Sequence, residues 1–210
     1  MTPKNIVNMA LLVGAEVIAV TDHNSVRNSR AVAEAAQDRL VVVPGLEVWS
    51  REDVHILCLF ANIALAESFG RYVFDALPNR LCEADIFGQQ HLFDANSQVI
   101  GWEEKLLLSP TSLSVDEICH EAMRQGGVVI PAHVDKTYGM AVQLGFVPDH
   151  LGIRVVEVSK RGRQPPSTRS YPFITNSDAH NLSALAGSTP WKLDVTQLSP
   201  EGVIEALRKF

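Results

Sequence analysis

The 210 residues are 46% hydrophobic and 20% charged, a balance that supplies a substantial core and excludes the disordered and collagen-like classes. Eighteen Lys+Arg against 24 Asp+Glu leave a net charge of -6, so no global positive field holds a long nucleic acid by its phosphates, and nucleic acid is not an expected partner. Three cysteines without CxxC spacing argue against a disulfide framework and a thiolate zinc site and predict reduced thiols in a cytoplasmic protein. The N-terminus has no signal-peptide pattern, and no apolar run approaches the roughly 20 residues of a membrane helix.

Taken in chain order, Thr2 and Pro3 open a helix whose Ile6, Val7, Ala10 and Leu11 recur at helical spacing before Gly14. Residues 16–20, EVIAV, read as a buried strand ending in the polar cluster Thr21, Asp22, His23 and Asn24. A helix over 26–37 follows, and then a strand over 40–43 that ends in Pro44, Gly45, Leu46 and Glu47. Residues 54–60, VHILCLF, predict a third strand with His55 inside it, and 62–77 a helix. Residues 78–112 are expected to be an excursion from the main sheet, containing a hairpin that turns at Asp94–Ser97. Ser114 with Glu117 forms a capping box for a helix that stops at Gly126 and Gly127. Further strands are expected over 128–132, tipped by His133 and Asp135, over 154–158, over 172–175, tipped by Asn176 to His180, and over 191–195. Ser199 caps a last helix.

Short strands alternating with helices predict an α/β chain of one domain with a mainly parallel sheet, closed or partly closed into a barrel. His23, Glu47, His133, Asp178 and His180 all fall at or just past strand ends, which a parallel barrel gathers on one face. Imidazole and carboxylate without thiolate are the donors expected around Zn, Mn or Fe at a hydrolytic site. Asp22 is placed to orient a ring nitrogen or nearby backbone group. Asn24, Lys136, Lys160 and Arg161, with Arg163, are candidate phosphate-binding groups. His91, His120 and His150 fall in the hairpin, on a helix's polar side and in a turn, where structural or solvated roles are expected.

TDHN at 21–24, PGLE at 44–47 with VHIL at 54–57, PAHVD at 131–135 and NSDAH at 176–180 together resemble, in order and spacing, successive motifs of the PHP (polymerase and histidinol phosphatase) superfamily. The similarity runs along essentially the whole chain and is nearest to the small stand-alone phosphoesterases of that family. The resemblance implies a distorted (β/α)7 barrel with up to three divalent metal ions, hydrolysing phosphate esters of small molecules or nucleotides by a metal-bound water, without a protein nucleophile. By matching motif, His23 and His180 would share one metal, Glu47, His55 and His133 would bind another with Glu47 bridging, and Asp178 would help hold a third. His55 thereby becomes a ligand.

Members of the family begin with a strand bearing an HxH motif, and this sequence has no counterpart to it. The resemblance therefore implies a barrel without its first strand, fewer metal ions than three and an impaired activity. It also implies open sheet edges, at 16–20 and at the last strand, that invite self-association. The alternative function is a non-catalytic metal- or phosphate-binding module of the same fold. A nuclease is disfavoured by the acidic balance.

Overall fold

The computed structural model describes residues 1–159 and 162–210. Helix α1 (Pro3–Leu12) has proline in its first turn, where the missing N–H breaks no hydrogen bond, but Thr2 provides no side-chain cap. Strand β1 (Val17–Val20) crosses over through α2 (Ser29–Ala36) to the parallel strand β2 (Val41–Trp49). Strand β2 is longer than its apolar start suggests and runs through Pro44 and Glu47 to Trp49. A tight turn follows, closed by Ser50 N donating to Val54 O at 2.8 Å, with Asp53 at φ 60°. It returns the chain as β3 (His55–Leu59), antiparallel to β2, with Trp49 opposite His55 and Glu47 opposite Leu57.

Helix α3 (Ile63–Asp75) is capped by Asn62, whose side chain accepts from Leu65 N. The excursion carries the short α4 (Ala84–Phe87) and the expected hairpin, β4 (His91–Phe93) against β5 (Val99–Trp102). Helix α5 (Val115–Arg124) has both bonds of the capping box. Strand β6 (Val128–Pro131) lies antiparallel to β3, and α6 (Met140–Gln143) follows it. Strands β7 (Val156–Glu157) and β8 (Phe173–Ile174) form a separate parallel pair, and α7 (Leu182–Ala186) and α8 (Pro200–Leu207) complete the chain.

The main sheet has the order β1-β2-β3-β6. Two of its three ladders are antiparallel, so the expectation of a mainly parallel sheet is corrected. The cause is the link between β2 and β3: a connection that short forms a hairpin and cannot hold the crossover that parallel strands require. No closed barrel forms among the described residues. Residues 191–195, expected to be a strand, join no ladder among the described residues; instead Trp191, Leu193 and Val195 pack against the core.

One face of the sheet carries Leu46, Val48, Ile56, Cys58 and Val129 against Phe69 and Val73 of α3 and Ile118 and Ala122 of α5. The other carries Val43, Leu57, Leu59 and Ile130 against Val203, Ile204 and Leu207 of α8. Each face thus has its own apolar cover, which is why β2, β3 and β6 read as continuous rather than alternating apolar runs. Cys58 and Cys119 are buried free thiols, and burial pushes the Cys119 thiol up to about 12. No helix among the described residues is long and apolar enough to cross a membrane.

Candidate metal centre

Strand directions explain how residues distant in sequence meet. Strand β2 runs toward the same end of the sheet as β1 and β6, whereas β3 starts there. His55 is therefore the first residue of its strand and lies beside the end of β2, rather than inside the sheet as its sequence position suggests. Glu47 and His55 share a face because side chains alternate and the two sit diagonally across the β2–β3 ladder. Past β1 the pairing resumes at one isolated bridge, His23 beside Glu47, with Asn24 N donating to Glu47 O and Glu47 N donating to Asp22 O.

His133 arrives differently. Alternation along β6 would turn it away from the face of Ile130 and Ala132. Its φ of 27° breaks that alternation and brings the ring to Glu47, a left-handed conformation that a β-carbon makes costly and that only the surrounding turn sustains. The turn is closed by Lys136 N donating to His133 O and Gly139 N donating to Lys136 O, both at 2.8 Å. A β-carbon at Gly139 would run into the His133 carbonyl and the Val134 backbone, so glycine is required there.

The result is one buried carboxylate ringed by imidazoles. Glu47 Oε1 lies 2.9 Å from His55 Nδ1 and 3.2 Å from His133 Nε2, and Oε2 lies 3.8 Å from His23 Nε2. Burial would raise the Glu47 carboxyl, but hydrogen bonds from His133 and His55 outweigh it and hold the group well below the usual carboxylate range. Burial lowers His23. It also opposes protonation of His133, where the Glu47 hydrogen bond and charge prevail and raise the ring above its ordinary value.

Each imidazole turns one nitrogen to Glu47, His55 by Nδ1 and His23 and His133 by Nε2. The opposite nitrogens, His23 Nδ1, His55 Nε2 and His133 Nδ1, are buried and have no hydrogen-bond partner among the described residues, which is unusual for buried polar atoms. One donor atom from each of His23, Glu47 and His55 lies within 4.8 Å of the others. Bonds of about 2.1 Å place tetrahedral ligand atoms about 3.4 Å apart, close to the separations at Glu47 Oε1. His23, Glu47 and His55 therefore fit a divalent ion held by nitrogen and oxygen, whereas His133 meets Glu47 but is not part of that three-residue group.

Asp178 and His180 form the rim. The His180 ring centroid is 5.7 Å from that of His23, and its side chain is exposed. Asp178, at φ 46°, is tied by Oδ2 to Lys136 Nζ at 2.7 Å. Partial burial opposes the Lys136 charge, but the Asp178 hydrogen bond overrides it and raises the ammonium's pKa. Asp22 is exposed; its carbonyl supports Glu47, while its carboxylate is bonded to Asn28. Asn24 is completely buried, its amide N–H groups donate to Leu107 O and Ser109 O, and its Oδ1 accepts from Trp49 N. It ties the end of the excursion to β2 and has no donor left for a phosphate, which removes it from the phosphate-binding set. Lys160 and Arg161 lie outside the described residues, and Arg163 is exposed. His91 and His150 bond to Gln89 and Asp116, away from the cluster.

Glu157 escaped the sequence reading. It is buried beside the site, accepts from Asn176 Nδ2 at 2.9 Å, and is pushed up to about 7 by burial, against the lowering effects of that hydrogen bond and of His133. The available signal was an acid inside an apolar run, VVEV, which a core strand excludes unless the acid has work to do. Tyr138 was missed too; it stacks on His55 with centroids 4.7 Å apart and walls that side of the cluster.

No protein-family model matches the sequence, and no curated protein matches it significantly. Solved structures do match in fold. A lesion-specific endonuclease, endonuclease Q of Pyrococcus furiosus, superposes with a TM-score of 0.69 at 17% identity over 100% of this chain and 51% of that one. Endonuclease Q in complex with a duplex substrate carrying an abasic lesion gives a TM-score of 0.65 at 16% identity, over 100% and 52% of the two chains. A Bifidobacterium adolescentis protein assigned as a metal-dependent phosphoesterase gives 0.59 at 17% identity, over 98% and 90%. This chain spans about half the length of the endonuclease Q chains.

Proposed function

We propose that the protein is a metal-dependent hydrolase of phosphate esters, a relative of the PHP superfamily in which His23, Glu47, His55 and His133 hold a divalent ion. The observation that carries the reading is the set of three imidazoles that each turn one nitrogen to the single buried carboxylate of Glu47, with His23, Glu47 and His55 bringing one donor atom each within 4.8 Å of the others. A bound Zn, Mn or Fe ion supplies a water of lowered pKa and neutralises charge on phosphoryl oxygens. The chain does the rest. Glu47, ionised by its imidazole partners, fixes the anionic side of the site, and Tyr138 and Trp49 pack around His55 and exclude water from that flank. Lys136 at the mouth supplies an ammonium for a phosphoryl oxygen. No serine or cysteine nucleophile is required.

Small phosphorylated molecules and nucleotides are the proposed substrates, hydrolysed in the cytoplasm. A second reading, a nuclease acting on phosphodiesters, gains support from the fold shared with endonuclease Q, which weakens the charge argument against nucleic acid. The test is initial-rate hydrolysis of p-nitrophenyl phosphate, bis(p-nitrophenyl) phosphate and an abasic duplex oligonucleotide, each with added Mn or Zn. Turnover of at least one, reduced roughly a hundredfold in Glu47→Ala, is the expected result. No turnover by a metal-loaded chain would leave the non-catalytic binding module in its place.

A further inference from the structure

Of the three imidazoles at Glu47, His23 alone has no hydrogen bond on its ring among the described residues. Its Nε2 stands 3.8 Å from Glu47 Oε2, too far for one, and its Nδ1 has no partner. His55 and His133 are each bonded to Glu47 Oε1. The place of the His23 ring therefore depends on the backbone to either side of it, and that backbone leaves the β1–β2 ladder at this point. Glu47 N donates to Asp22 O and Asn24 N donates to Glu47 O, and a parallel ladder would next have Trp49 N donate to the Asn24 carbonyl. Trp49 N donates instead to Asn24 Oδ1, at 3.0 Å. Asn24 has the left-handed conformation, at φ 50°, so the chain turns off the sheet while the side-chain oxygen supplies the missing rung.

The other end of the same side chain is held as firmly. Asn24 Nδ2 donates to Leu107 O at 2.8 Å and to Ser109 O at 2.9 Å, and the residue is completely buried. Both amide protons and the oxygen are thus used, all on main-chain partners. Few side chains can do this. Glycine accepts the backbone conformation but makes none of the bonds, and aspartate keeps the acceptor but sets a carboxylate against two carbonyls. The rung also bears on a second ligand, because the Trp49 ring lies against His55 with centroids 5.1 Å apart. We propose that Asn24 is a positioning residue of the metal centre: by clamping the chain one residue past His23 to Trp49 and to the end of the excursion, it fixes the His23 ring where a nitrogen meets the ion shared with Glu47 and His55. This rests on the metal-centre reading above. Asn24 touches neither the ion nor the substrate and acts through His23.

The test is titration of chelator-stripped protein with CoCl2, followed by the visible absorption of the bound ion, which reports the geometry of its ligands as well as its affinity. Asn24→Gly keeps the left-handed backbone and removes all three side-chain bonds, and Asn24→Asp keeps the acceptor for Trp49 N and removes the two amide donations. Circular dichroism verifies the fold of each metal-free variant. Both Asn24 variants should bind the ion about tenfold to a hundredfold more weakly than wild type, with an altered absorption band. Asn62→Ala, which removes the cap of α3 past the far end of β3, should lower stability and change neither affinity nor band. Affinity and band unchanged in Asn24→Gly overturn the proposal and leave the metal centre standing. An equal loss in Asn62→Ala also overturns it, since affinity would then follow stability alone. So does loss of native circular dichroism in both Asn24 variants, which would make the residue a support of the fold rather than of the site. A wild type that takes up no ion would instead remove the metal-centre reading, and this inference with it.

Discussion

Glu47 and Glu157 are two buried glutamates a short distance apart that their surroundings drive in opposite directions. Imidazole hydrogen bonds keep Glu47 ionised, whereas burial beside other carboxylates carries Glu157 from an ordinary 4.5 to about 7. Because its folded pKa is raised, Glu157 contributes stability that is complete below the unfolded pKa and is lost as pH rises through about 7. Above that pH the ionised form costs on the order of 3 kcal/mol. Glu157→Gln keeps an acceptor for Asn176 and removes the ionisation. It should therefore match wild type at pH 4, below the unfolded pKa, and exceed it in urea unfolding at pH 8, in both cases metal-free. A variant less stable than wild type at pH 8 would contradict the assignment. Of the residues at the site, His23, Glu47 and His133 were legible because each is a polar residue closing an apolar run. Glu157 was not, because a single acid within a strand is silent until the strand's neighbours are known.

At the scale of elements, local signals and pairing signals differed in legibility. The capping box at Ser114 and Glu117 is written within four residues and is present with both bonds. Ser114→Ala should cost about 1 kcal/mol in denaturant unfolding, with an unchanged m-value. A change below a few tenths would show that α5 is held by packing alone. The β4–β5 hairpin was legible from its turn residues in the same way. Strand direction was not, because Pro44, Gly45 and Glu47 look like the end of a strand, whereas burial on both faces carries β2 on to Trp49. The short link to His55 then forces the antiparallel return that brings His55 to Glu47. The left-handed backbone at His133 left no trace beyond Gly139, six residues later. Residues 191–195 have strand-like alternation, yet their apolar side chains are satisfied by the core without a ladder.

For the whole molecule, the sheet ends at β1, whose outer edge has no ladder partner among the described residues. Unpaired strand edges attract other strands, and Ala19 on this one is exposed. Sedimentation at micromolar concentration should show self-association that Ala19→Pro weakens, since proline removes an edge donor. A monodisperse monomer would contradict this. The sheet's two covered faces leave its strand-end rim as the place where polar groups converge, and there lie its buried histidines His55 and His133 and the left-handed residues Asn24, His133 and Asp178. The central claim is that this rim binds a divalent ion through Glu47 and its imidazoles. Elemental analysis after dialysis against Mn or Zn tests it most directly, on wild type and Glu47→Ala side by side. At least one equivalent per wild-type chain, with roughly a tenfold or greater loss in the variant, is predicted. Metal-free wild type, or equal content in the two proteins, would contradict it.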